Sequence, residues 1–173
     1  MITLLFNFCL FYIQFFLNLQ KEYKATLLGL LFYMFMDKIY ILGARVWCDG
    51  SFKETDVEIS GGKVEKIGVN LGVNPKDCEV IEAQGWYLIP GLVDMHVHFR
   101  EPGFSYKETI HTGSEAAAAG GFTTVCTMPN LKPSPDSLEN LKKQLDIIHN
   151  DAIINVIPFA TITRQRMGNE LVD

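Results

Sequence analysis

The chain has 173 residues, 48% of them hydrophobic and 20% charged, with a formal net charge of -5. That length suits one domain and falls short of the roughly 250 residues of a complete eight-stranded α/β barrel, so any barrel read here would be a fragment. A net negative chain with no basic stripe has nothing to follow a phosphate backbone, which excludes a nucleic-acid partner and leaves small anions bound by local cations.

In chain order, residues 1–35 come first and differ from the rest. They hold seven of the twelve Phe and only three charged residues, Lys21, Glu22 and Lys24. Residues 1–20 carry no charge and are long enough to cross a bilayer, although Asn7, Gln14, Asn18 and Gln20 dilute their hydrophobicity. No cationic leader region or small-residue cleavage site marks a signal peptide. The preferred reading is a segment upstream of the native start. Met36 is followed at once by Asp37, Lys38 and the strand-like Ile39-Tyr40-Ile41-Leu42. A membrane anchor is the second reading and a soluble extension the third.

Residues 36–89 predict a small antiparallel β-sandwich module. Short β-type runs at 39–48, 56–60, 63–67, 79–81 and 86–89 are split by turn signals. Asp49-Gly50 and Gly61-Gly62 are hairpin-turn dipeptides. Nothing in this stretch has catalytic spacing, so it reads as a packing platform. Cys9, Cys48, Cys78 and Cys126 lie far apart without CxxC spacing and read as reduced thiols of a cytoplasmic protein.

After Pro90-Gly91 the pattern becomes strand, helix, strand, helix, strand, which predicts parallel βα units over 90–173. In the first strand, strict alternation puts Val93, Met95, Val97 and Phe99 on one face and Asp94, His96 and His98 on the other. Two imidazoles two residues apart can reach one divalent ion, at about 2.0–2.1 Å per Zn–N bond. Alone, an HxH pair is a weak signal. Here it ends an apolar strand introduced by Pro-Gly and is followed by Arg100 and the turn Glu101-Pro102-Gly103. Ser105 to Glu108 has capping-box spacing and predicts a helix start, with the helix running to Gly120-Gly121. Residues 123–128 form the next strand, closed by Pro129-Asn130 at its C-terminal rim. A second helix is predicted with Ser134 as N-cap, Pro135 in its first turn, and Leu138, Leu141, Leu145 and Ile148 as its core stripe. Residues 152–163 predict the third barrel strand. Asp94 shares the parity of the histidines and is a candidate to orient one of them, while His111 and His149 fall on exposed helix faces.

The string PGLVDMHVHFREPG, followed by KETIHTGSEAAAAGGFTTVCTMPN, resembles the opening of the dihydroorotase family of cyclic amidohydrolases. Allantoinase and dihydropyrimidinase share the HxH pair and the Ala/Gly-rich helix, but lack this Arg and the MPN ending. The resemblance implies an α/β fold, the first three βα units of a TIM-barrel metallo-hydrolase. It implies reversible ring closure of N-carbamoyl-L-aspartate to dihydroorotate in pyrimidine synthesis, with two Zn2+ ions per complete site. His96 and His98 would be metal ligands. His98, Arg100 and Asn130 would bind substrate, Arg100 through a forked ion pair with a carboxylate. The family's bridging carboxylate or lysine, further histidines and catalytic aspartate have no counterpart in this chain, so it is expected to be inactive and poorly folded alone. Partners implied are the small-molecule substrate and either a second copy of the chain or aspartate carbamoyltransferase. The alternatives are an allantoinase- or dihydropyrimidinase-like enzyme and a non-catalytic homologue serving as a partner subunit.

Overall fold

A computed structural model describes residues 38–73 and 78–172. The apolar segment 1–35 lies outside the described residues. The chain divides into two compact units that meet between Gly91 and Leu92.

The first unit contains one five-stranded sheet built from β1 (Lys38–Cys48), β2 (Ser51–Ser60), β3 (Lys63–Gly68), β4 (Glu79–Glu82) and β5 (Tyr87–Leu88). β1, β2 and β3 form an antiparallel meander, and both hairpins turn where the dipeptides predicted. Asp49 and Gly50 have φ of 50° and 79°, and Gly61 and Gly62 have 54° and 72°. Two successive positive φ values match the right-handed twist of the flanking strands. β4 and β5, however, both pair with β1 in parallel. The described strands are therefore a single mixed sheet, in place of the antiparallel sandwich expected. Hydrophobic runs reveal a strand but carry no signal for its direction. Ile41, Ala44, Val46, Val57, Ile59 and Ala83 form its core. On the other face the buried Glu58 carboxylate is bracketed by Lys38 at 2.7 Å and Lys66 at 3.4 Å. The hydrogen bond from Lys38 holds the Glu58 carboxyl below the usual range, whereas burial pushes that of Glu79 up to about 7.

The second unit is a parallel three-stranded sheet in the order β6 (Leu92–Val97), β7 (Phe122–Thr127), β8 (Asn155–Pro158). Helices α1 (Ile110–Ala119) and α2 (Leu138–Asp151) connect the strands, so the predicted βαβαβ pattern is present. Phe99, Ile110, Ala118, Val125, Ile154 and Val156 form the core beneath the helices. Both helix starts differ from expectation. Ser105 donates its hydroxyl back to Glu101 at 2.9 Å, and Glu108 accepts from the hydroxyl of Thr112, so neither forms the predicted capping box. Thr109 and Thr112 form that box instead, and α1 begins at Ile110. Ser134 points its hydroxyl at the carbonyl of Leu131 and Pro135 is buried in the loop, so the N-cap of α2 is Ser137. The stripe of α2 shifts accordingly. Leu138 and Leu145 are 69% and 40% exposed, and the residues packed inward are Gln144, Ile147 and Ile148. The third strand is shorter than predicted and gives way to a 3-10 turn at Arg164–Arg166.

Among the described residues no helix is long and apolar enough to cross a membrane. Cys48 and Cys126 are free thiols.

Candidate metal and carboxylate site

The strict alternation expected along β6 does not hold. Asp94 pairs with Val125 and Val97 pairs with Thr127, so three residues of β6 run against two of β7. This bulge shifts the side-chain phase by one residue between Asp94 and Val97. Val97 and Phe99 keep the expected place against the helix-side core, but Val93 and Met95 are 50% and 71% exposed. The bulge is held from within, because the Asp94 carboxylate accepts the backbone N–H of His96 at 2.9 Å. Asp94 thus fixes the backbone of one histidine and contacts neither ring.

Beyond the bulge, His96 and His98 stand together at the strand's C-terminal end. Their ring centroids are 5.2 Å apart with planes inclined by 68°, and both residues are exposed. The Nδ1 of His98 lies 2.9 Å from the Oδ1 of Asn130. A carboxamide oxygen can only accept, so in this pairing Nδ1 is the donor and Nε2 is left outside the bond. The same bond orients Asn130, directing its two N–H donors away from His98. The end of β7 that carries Asn130 is fastened to β6 by the N–H of Met128 donating to the carbonyl of Val97 at 2.9 Å.

Arg100 follows in a left-handed conformation, φ 24°, and is half-buried. Among the described residues no carboxylate pairs with its guanidinium. The turn after it is closed by the N–H of Phe104 donating to the Arg100 carbonyl at 2.9 Å. The loops following β6 and β7 also touch each other. The N–H of Lys132 donates to the Pro102 carbonyl at 3.2 Å, and a Cβ at Gly103 would collide with the carbonyl oxygen of Lys132. Glycine is therefore required there on two counts, close approach and a φ of 99°. Behind the strand end, the ring of Phe99 packs against Gly113 of α1, where a Cβ would collide with it. A cleft of about 250 Å³ opens beside His98, lined by Asp94, Phe99, Glu108 and apolar groups of α1 and β7.

The structure thus brings together three of the four sequence-predicted site residues, His96, His98 and Asn130. It puts Arg100 on the same strand end without a contact to Asn130. Two adjacent exposed imidazoles suit a divalent ion, and Nδ1 held by a hydrogen bond is the arrangement that fixes a ligating His. Among the described residues no group of three or more His, Cys, Asp or Glu stands ready to enclose a metal, so the donor set fits part of a site. Sequence reasoning gave Glu101 no role, although its carboxylate makes two of the loop's hydrogen bonds. The available signal was a serine four residues later, within reach of a turn-closing bond. His111 and His149 are exposed on their helices, as periodicity predicted.

A scan against protein families matches residues 85–173 to the family described as "Dihydro-orotase-like". Among curated proteins, the chain is 50% identical over 122 residues to a dihydroorotase of Fusobacterium nucleatum subsp. nucleatum, covering 70% of this chain and 28% of that protein. It is 46% identical over 136 residues to a dihydroorotase of Lactobacillus leichmannii, covering 78% and 31%. Among solved structures, a dihydropyrimidinase from Brevibacillus agri superposes with a TM-score of 0.61 at 30% identity, over 73% of this chain and 28% of that one. The chain therefore spans under a third of the length of these relatives. With a family match over half its length that includes the HxH strand, Arg100 and Asn130, the chain belongs to the dihydro-orotase-like family.

Proposed function

We propose that the chain forms the opening three βα units of a TIM-barrel dihydroorotase, with its β unit as a packing platform at 36–89. The reaction is reversible cyclisation of N-carbamoyl-L-aspartate to dihydroorotate in pyrimidine synthesis, in the cytoplasm. The observation that carries this reading is the His98–Asn130 hydrogen bond of 2.9 Å, which ties a metal-ligand candidate to a substrate-binding candidate on the neighbouring strand.

His96 and His98 would hold Zn2+, two ions per complete site, and His98 would also border the substrate. When bound, such ions acidify water and polarise the carbonyl under attack. The chain's own residues bind and orient. Arg100, half-buried and unpaired among the described residues, presents a planar fork matched to a carboxylate. Asn130, its oxygen occupied by His98, offers N–H donors to the same anion. With two imidazoles and no third ligand among the described residues, the chain alone falls short of zinc's tetrahedral set. Purified residues 36–173 are therefore expected to be inactive, and dihydroorotate turnover by them would refute this.

The test is a substrate profile of the complete gene product, comparing dihydroorotate with dihydrouracil, hydantoin and allantoin. A higher kcat/KM on any of the uncharged rings would favour the second reading, a dihydropyrimidinase-like enzyme, which the solved structures at 30% identity support. A second copy of the chain or aspartate carbamoyltransferase is the macromolecular partner in this proposal. Sedimentation of the complete protein with and without that transferase checks it.

A further inference from the structure

Arg100 occupies a backbone conformation that a non-glycine residue adopts only when its surroundings impose it, at a cost of about 1–3 kcal/mol. Three contacts lie around it. Phe104 closes the turn onto the Arg100 carbonyl, the backbone N–H of Glu101 reaches the Phe99 carbonyl, and the Glu101 carboxylate spans the loop. One carboxylate oxygen accepts the Ser105 hydroxyl at 2.9 Å, and the other accepts the backbone N–H of Ile110 at 2.9 Å. Ile110 is the first residue of α1 and is fully buried, so it is a fixed point. Its N–H belongs to the unsatisfied first turn, where a carboxylate is favoured both as acceptor and by the helix dipole.

We infer that Glu101 is a positioning residue for Arg100: its carboxylate ties the turn after β6 to the first turn of α1 and thereby holds the guanidinium in its binding orientation. Bonds of an ionised acceptor are about twice as strong as neutral ones, and this pair fastens the middle and the far end of the loop at once. The Arg100 backbone, between the β6 strand and this staple, is left with the left-handed conformation that spans the gap. The functional consequence rests on the reading of Arg100 as the group that binds the substrate's carboxylate.

The test uses Glu101→Ala, Glu101→Gln and Arg100→Ala in the complete protein. Dihydroorotate binding is measured by calorimetry alongside kcat and KM, and crystal structures are determined. Glu101→Ala is expected to weaken dihydroorotate binding roughly tenfold or more, with kcat little changed, as for a lost charge-assisted bond. Glu101→Gln keeps an oxygen for the Ile110 N–H and is expected to recover most of that loss. In an Arg100→Ala background, Glu101→Ala is expected to add little. A role confined to helix stability would lower the melting temperature and the active fraction without moving Kd. In the crystal, Arg100 of Glu101→Ala is expected to leave the left-handed region. An unmoved Arg100 there, or an equal loss with and without Arg100, overturns the inference. If Arg100→Ala binds dihydroorotate normally, the carboxylate-binding reading fails, and the crystallographic comparison still decides whether Glu101 positions Arg100.

Discussion

Gly113→Ala sets two physical effects of opposite sign against each other. Gly113 lies inside α1, and exchanging a mid-helix glycine for alanine ordinarily stabilises by about 1 kcal/mol. Here the new Cβ would lie 2.9 Å from Cγ of Phe99 and closer still to two other ring carbons. Phe99 cannot retreat cheaply, because it is 7% exposed and packed with Ile110, Ala118 and Val125. Overpacking of this kind costs about 1–3 kcal/mol, so the net change is a destabilisation of about 1 kcal/mol. In the complete protein that is a fall in melting temperature of roughly 2 °C, read by calorimetry. Because Phe99 sits between His98 and Arg100, zinc and substrate affinity should fall as well. Phe99→Leu removes the colliding ring edge, so the double variant should lose less than the sum of the singles. A rise in melting temperature for Gly113→Ala would show that helix propensity wins and that the strand end is not braced by this contact.

Asn130→Ala leaves the Nδ1 of His98 without its acceptor and should lower zinc affinity about 10- to 100-fold, measured by competition with a chromophoric chelator; an unchanged affinity would sink the orienting role. The Glu79 carboxyl, raised to about 7 in the fold, binds its proton more tightly than in the unfolded chain. Its contribution is complete below the unfolded value and lost as pH rises through about 7, so urea midpoints should fall between about pH 5 and about pH 8. Glu79→Gln should flatten that slope, and an identical slope in the variant would refute the assignment. Glu58 acts in the opposite sense in a more acidic range, where protonation releases Lys38 and Lys66. Gln144 is buried and bonds Thr127 through its amide nitrogen at 3.2 Å. Thr127→Val should cost about 1–3 kcal/mol by orphaning the Gln144 amide nitrogen, Gln144→Met should cost less because it also removes the buried, unpartnered Oε1, and the double variant should cost less than the sum of the two. Additive losses in urea titrations would contradict this.

The sequence by itself determined the order of the elements and which candidate residues stand at the strand ends. Asp49-Gly50 and Gly61-Gly62 specify their hairpins because few other residues accept two positive φ values in a row. The βαβαβ order, the pairing of His96 with His98 and the approach of Asn130 follow from strand ends and from a motif string dense enough to show the family. Tertiary structure decided what depends on partners distant in sequence. The direction of β4 and β5, the register shift of β6 against β7 at Asp94 and the rotation of α2 that buries Gln144 and exposes Leu145 are all of this kind. Local pattern scores a residue against its neighbours at fixed spacing. A hydroxyl or a strand edge instead takes whichever partner the fold brings within 3 Å or so, and for Ser105 the Glu101 carboxylate in the loop after β6 outcompeted the backbone N–H of Glu108.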